Sequence, residues 1–243
     1  MFFNAKVRQG EEMPKQTRTT DLTSPKFLFA ASIVSIALWF IPFAWMAVYP
    51  WRMFVTFIHE GGHALAAILS AGAVERMVIY ADASGETYTR GGMPFLIASA
   101  GYLTSAAYGA LLLALSRQGK NAKTILTINA GLILVLTFAF TDSLFSWGVG
   151  LGLTIGLIWI AISGSQPWAH FLLNFMAVQC CLNAFFDLRT LFWISATTSM
   201  HSDAVSMEKM TLIPAVVWAA MWAALSLILW GIGLWNYARN GRR

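Results

Sequence analysis

The stretch VTFIHEGGHALAAIL, residues 55–69, sets two histidines and a glutamate in a run that is otherwise almost wholly apolar. On an α-helix His59 and His63 stand one turn apart, so both imidazoles face the same side with Glu60 next to them. Ionisable groups at membrane depth are expensive unless they are paired or bind a cation, so three together mark a functional site. H-E-x-x-H is also the spacing at which two imidazoles reach one zinc ion while the glutamate points toward water beside it. The competing account is a pair of hydrogen-bonded core histidines lining a polar helix seam. With only four His in the chain, chance supplies the full pattern roughly 0.002 times in a sequence of this composition, which favours the metal reading. Gly61 and Gly62 each cost roughly 1 kcal/mol relative to Ala inside a helix, which calls for a packing or access reason such as room for a substrate or a neighbouring strand.

Working outward, the surroundings are those of a membrane. The chain is 58% hydrophobic and 11% charged, with 11 Trp and 17 Phe, too apolar for a soluble domain of this size. Apolar tracts occupy residues 27–49, 53–71, 95–115, 125–140, 147–162, 169–194 and 212–237. Most approach the roughly 20 residues that cross about 30 Å of hydrocarbon as a helix. The tracts at 125–140 and 147–162 are short and close together, either two tilted spans or one re-entrant hairpin. The expected fold is therefore an α-helical polytopic membrane protein with six or seven transmembrane helices.

Residues 1–26 form a polar tail without a signal-peptide core, residues 27–237 one transmembrane domain, and residues 238–243 a basic tail. The net charge of +5 comes from Lys and Arg that flank the apolar tracts, which is the usual membrane pattern and no sign of a nucleic-acid partner. It gives a weak preference for a cytoplasmic amino-terminal tail. Cys180 and Cys181 are adjacent in an apolar tract and form neither a metal knuckle nor a disulfide framework.

Directly after the histidine motif, residues 72–92 change character. Val74, Arg76, Val78 and Tyr80 alternate with Glu75, Met77 and Ile79, Asp82 to Gly85 are turn-formers, and ETYTR is β-prone. This segment reads as a short β-hairpin following the HEGGH helix, against the plainer alternative of a polar loop.

A catalytic zinc usually has three protein ligands and a water. Asp142, His170, Asp187, His201 and Asp203 are the candidates for the third ligand. His170 and His201 lie near tract ends, where interfacial placement is the ordinary explanation, and Asp142 reads as a turn residue. Asp187 is flanked by apolar residues within a tract, where a cation or pairing with Arg189 would compensate it. Asn183 lies one turn earlier on the same face, placed to orient that carboxylate or to bind substrate backbone. In HSDAVSMEKMT, Ser202 or Asp203 reads as the N-cap of the final helix.

Taken together, FIHEGGHALAA, the following VERMVIYADASGETYTR, SAGYL, FFDL, SDA and LIPAVVWAAMW resemble the M50 metallopeptidases. These are the site-2-protease type of intramembrane zinc protease, and the resemblance is to their compact M50B-like branch. It covers most of residues 50–222. It implies His59, His63 and Asp187 as Zn2+ ligands, Glu60 as general base and Asn183 as a substrate-binding residue. The better-studied members carry Asn and Pro followed by Asp-Gly in the late span, whereas NAFFDL has neither the Pro nor the Gly. The implied function is hydrolysis of peptide bonds in transmembrane protein substrates, within the bilayer of a bacterial inner membrane. The alternative is a non-catalytic subunit or assembly factor of a larger membrane protein complex that keeps the fold. Serine-type and aspartyl-type intramembrane proteases are excluded by the lack of G-x-S-x-G and G-x-G-D elements. A farnesyl-type zincin is disfavoured because no Glu stands between Glu86 and Glu208.

Overall fold

The structure is a computed structural model that describes residues 25–41, 43–117, 121–197 and 202–239, with side chains at 39, 40, 45, 117 and 183–197 left aside. It is mostly helical. Helix α1 spans Pro25–Phe40 and α2 spans Trp45–Leu69, and the strands β1 (Ala73–Ile79) and β2 (Gly85–Arg90) follow. The remaining elements are α3 (Pro94–Arg117), α4 (Ala122–Phe140), α5 (Leu144–Ser163), α6 (Gln166–Thr197), α7 (Asp203–Thr211) and α8 (Ala215–Arg239).

The first two apolar tracts do not divide at Pro50 as expected. The chain turns just before Trp45, where Phe43 takes a positive φ of 65°, and Pro50 lies inside α2. Proline there forfeits only the bond to the carbonyl four residues back, near the start of a 25-residue helix whose ladder is intact beyond it. Helix α2 is thus about 37 Å long at 1.5 Å per residue.

Helices α4 and α5 have 19 and 20 residues and pack against each other as a tight antiparallel pair. Ser143 caps α5 by accepting a hydrogen bond from the Ser146 amide. Among the described residues, α3, α4, α5 and α8 are long and apolar enough to cross a membrane, four helices where six or seven were expected. Helix α1 offers only a shorter apolar length, Pro25–Leu38. Helix α2 carries Arg52, Glu60 and both motif histidines, which lower its mean hydropathy.

Helix α3 is the centre of the bundle and packs on α2, α6 and α8. The largest buried side chains are Met53, Phe54 and Phe57 of α2, with Leu112 and Leu113 of α3, Leu126 and Ile133 of α4, and Leu173 and Met176 of α6. Ile128, Val135, Phe138, Trp159 and Ile162 face outward, as lipid-facing residues do.

The expected hairpin is present. Strands β1 and β2 pair antiparallel, with a bulge between Val74 and Arg76. Asp82 Oδ1 accepts from both the Ser84 amide and its hydroxyl, at 2.9 and 2.6 Å, forming the turn. The hairpin is fastened to α2 where Tyr49 Oη and Thr56 Oγ1 donate to the carbonyls of Ala81 and Ala83, each at 2.7 Å.

The outer edge of β1 is covered by the α4–α5 connection. Met77 bridges Thr141, and the Ile79 amide donates to Ser146 Oγ at 2.8 Å. Among the described residues nothing pairs with the outer edge of β2, which leaves it available to another strand.

The motif glycines have a packing reason. A Cβ on Gly62 would lie 2.7 Å from Thr104 Cβ and 3.0 Å from the Ala100 carbonyl, and one on Gly61 would lie 3.0 Å from Leu136 Cδ1. The pair thus lets α3 and α4 close on the face of α2 that carries the motif. Gly62→Ala is expected to lower stability by about 1–3 kcal/mol through overpacking. Gly131→Ala in α4, where a Cβ meets nothing within 4 Å, should instead be neutral or gain up to about 1 kcal/mol. Thermal unfolding of the two variants in detergent checks the pair.

Candidate metal centre

Helical spacing on α2 brings the imidazoles of His59 and His63 to a centroid distance of 4.8 Å, edge to face. The third group comes from α7. Asp203 Oδ2 lies 3.3 Å from His59 Nε2 and 3.3 Å from His63 Nε2. Around a tetrahedral zinc with bonds of 2.0–2.1 Å, neighbouring ligand atoms stand about 3.3 Å apart, so this donor set fits such an ion. The three ligand atoms lie within 4.8 Å of one another.

The tautomer fits as well. His63 Nδ1 lies 2.6 Å from the Ile97 carbonyl, which can only accept, so Nδ1 carries a proton and Nε2 is the nitrogen that would offer its lone pair to an ion at the centre. His59 packs against the edge of Tyr102 at 4.8 Å and 88°, and Tyr102 in turn stacks on Trp222 at 5.3 Å. Both rings lie over the backbone of Gly101. A Cβ there would come within 2.5 Å of His63 Nε2 and closer still to His59 Nε2, so only glycine leaves room for the pair.

Asp203 is placed by the start of its own helix. Ser202 Oγ caps α7 by accepting from the Val205 amide at 3.3 Å, which frees the neighbouring carboxylate to turn toward the histidines. Helix α7 is seated by Ala204 and Met207, buried in one cluster with Ala98 of α3 and Trp218 and Trp222 of α8. Burial pushes the Asp203 carboxyl up, but the adjacent His63 and His59 outweigh it and hold Asp203 well below the usual carboxylate range.

Glu60 is buried, with 4% exposure. Thr87 Oγ1 of β2 donates to its Oε2 at 2.7 Å. A cleft of about 1060 Å³ opens over these groups and is also lined by Gly85, Thr87 and Thr89 of β2 and by Ser206, Lys209 and Met210 of α7.

A family model described as Peptidase M50B-like matches residues 29–233. The chain belongs to that family. No curated protein and no solved structure matches it. With four apolar helices among the described residues long enough to cross a bilayer, it is a multi-pass membrane protein of the M50B-like, metalloprotease type.

Among the described residues of this M50B-like chain, His59, His63 and Asp203 form the one group of metal-binding character. Asp187 and Asn183 lie on α6 where the side chains are outside the described residues, and His201 is outside them as well. Asp142 sits between α4 and α5, 3.7 Å from Arg76, in the turn role expected of it. His170 is buried near the start of α6, with 2% exposure, beside Phe27. The expected capping by Ser202 or Asp203 divides between them. Ser202 caps a separate helix, α7, and Asp203 joins the histidines. Two adjacent candidate caps were the available signal, because a helix start needs only one. Thr87 and Gly101 carried no sequence signal as site residues.

Gly101→Ala is expected to spread the imidazoles and weaken metal binding by roughly 10- to 100-fold, the usual scale for disturbing groups that orient ligands. Titration of purified protein with Co2+, followed by its visible absorption, measures this directly.

Proposed function

We propose that this chain is a zinc-dependent intramembrane protease that cleaves transmembrane protein substrates, as the resemblance to bacterial inner-membrane enzymes implies. The observation that carries the reading is the convergence of His59, His63 and Asp203 beside a buried glutamate. These three residues would hold the ion, and Asp187, which the resemblance implies as a ligand, has its side chain outside the described residues. When bound, zinc supplies Lewis-acid chemistry, polarising a peptide carbonyl and making water more acidic.

The chain's own residues do the rest. Glu60 takes a proton from the attacking water on one carboxylate oxygen and returns it to the departing amine nitrogen. Its other oxygen is engaged by Thr87. Ser206, Lys209 and Met210 of α7 line the same cleft as β2.

A transmembrane helix hides its carbonyls in its own hydrogen bonds, so hydrolysis requires an unwound segment whose backbone groups find new partners. The edge of β2 is suited to supply them. The Tyr80 amide donates to the Ser84 carbonyl at 2.9 Å, which fixes the alternation along the ladder. Gly85, Thr87 and Thr89 accordingly turn their main-chain groups away from β1. A peptide strand added there lies along the cleft that also holds Glu60 and Asp203.

A non-catalytic scaffold has no use for a buried carboxylate supplied with its own hydrogen-bond donor. Glu60→Gln separates the two readings. It should abolish cleavage of a transmembrane substrate in reconstituted vesicles while metal content and thermal stability remain at wild-type values. Equal cleavage by wild type and variant would refute the protease.

Strand addition has its own test. Thr89→Pro removes an outward amide from β2 without touching β1 or Glu60. Substrate cleavage should fall at least about tenfold, through the loss of hydrogen bonds worth roughly 0.5–1.5 kcal/mol each and the clash of the ring with an added strand. Zinc content should not change. Normal cleavage by this variant would place substrate recognition elsewhere.

A further inference from the structure

In GETYTR, the side chains of Gly85, Thr87 and Thr89 fall on one face of β2 by strand alternation, and that face is the half-buried one. Both Gly85 and Thr87 are shaped around Glu60. A Cβ at Gly85 would lie 2.7 Å from Glu60 Cγ and 2.8 Å from its Oε1, so the absence of a side chain lets the strand come down onto the carboxylate. Two residues on, Thr87 Oγ1 lies 2.7 Å from Glu60 Oε2 and 3.2 Å from the Glu60 carbonyl. Its single proton goes to the shorter, charge-assisted contact. A glutamate side chain has three rotatable bonds, and its use as a base depends on presenting one oxygen in a fixed direction. Here the hydroxyl holds one oxygen and the glycine leaves the other its space.

Thr87 also has a second face. Its main-chain amide and carbonyl point away from β1, toward the open edge of the sheet. We propose that Thr87 is a positioning residue, whose hydroxyl fixes the Glu60 carboxylate while its main chain sets that base in register with a substrate strand added to β2. This inference rests on the protease reading and adds to it the residue that couples substrate binding to the base. The tie between hairpin and helix does not depend on Thr87, because Tyr49 and Thr56 already fasten the turn through the carbonyls of Ala81 and Ala83.

The test uses the full chain in lipid nanodiscs with a model transmembrane peptide substrate. Wild type, Thr87→Val, Thr87→Ser and Glu60→Gln are compared for kcat, KM, metal content and thermal stability. Thr87→Val keeps the shape and removes the donor. Its kcat should fall by roughly 10- to 100-fold, the range seen when groups that orient site residues are lost, while KM, metal content and stability stay at wild-type values. Thr87→Ser restores the donor and should recover most of the rate.

A readout independent of turnover is the infrared carboxylate stretch. The difference between wild type and Thr87→Val should show a shifted carboxylate band, and the same difference measured in the Glu60→Gln background should not. Full kcat in Thr87→Val with Glu60→Gln inactive would overturn this inference and leave the protease reading standing. Equal impairment of the Val and Ser variants, or a loss that appears in stability, would overturn it too by making Thr87 a structural tie. Wild type no more active than Glu60→Gln would overturn the protease reading and this inference with it.

Discussion

The controlling constraint is the burial of Glu60 and His63, with His59 half-buried beside them, on one turn and a half of α2. Each must find a partner, because an uncompensated polar group in this setting costs several kcal/mol. The partners come from three different elements. The Ile97 carbonyl takes His63 Nδ1, Asp203 faces both Nε2 atoms, Tyr102 closes on His59, and Thr87 takes Glu60. None of these comes from α2 itself, so the start of α3, the start of α7 and the middle of β2 are all held where the motif requires them.

That requirement explains the asymmetry of the hairpin. Strand β1 buries Met77 and Ile79 and gives its outer edge to Thr141 and Ser146, so it is anchored in the bundle. Strand β2 gives one edge to β1, lays Thr87 on Glu60 and leaves the other edge unpaired among the described residues. An unpaired edge is a liability that proteins usually cover. Here it belongs to the cleft that Glu60 and residues of α7 also line, where the proposed protease would pair it with a substrate strand. The glycines serve the same end. Gly62 brings α3 close, Gly101 makes room for two imidazoles, and Gly85 lets the sheet reach the carboxylate.

Much of this is legible in the sequence because the decisive signals are local. The spacing of His59 and His63 needs only helical periodicity, and the alternation in residues 74–90 needs only strand periodicity and turn residues. The carboxylate that faces the histidines is not local. Asp187 stands out by its apolar neighbours, whereas Asp203 sits in a polar segment where a carboxylate is cheap and capping is an adequate explanation. Only the tertiary docking of α7 on Trp218 and Trp222 turns it toward the histidines. The hydroxyl of Thr87 is hidden for the same reason, since a threonine in a β-prone run already satisfies propensity. The misplaced break at Pro50 has a different cause. Proline near the start of a long helix sacrifices a single bond, while the actual turn precedes Trp45, where Phe43 adopts a conformation that non-glycine residues seldom take.

A third donor carried on a nine-residue helix outside the spans has a further physical consequence. A carboxylate built into a spanning helix would be fixed by the whole bundle. Asp203 is fixed by the seating of α7, which rests on the burial of Ala204 and Met207, the Glu208 carboxylate accepting from the Ala215 amide at 3.2 Å, and the Trp218 indole donating to Thr211 at 3.0 Å. Burying a side chain the size of Met207 contributes about 1.5–3 kcal/mol, and the two hydrogen bonds add about 0.5–1.5 kcal/mol each. These terms are comparable to the penalty of leaving His59 and His63 without Asp203. The docking of α7 and the completeness of the centre are therefore one linked equilibrium. Any ligand that binds all three groups tightens the α7 seat by the same free energy with which the seat tightens the ligand.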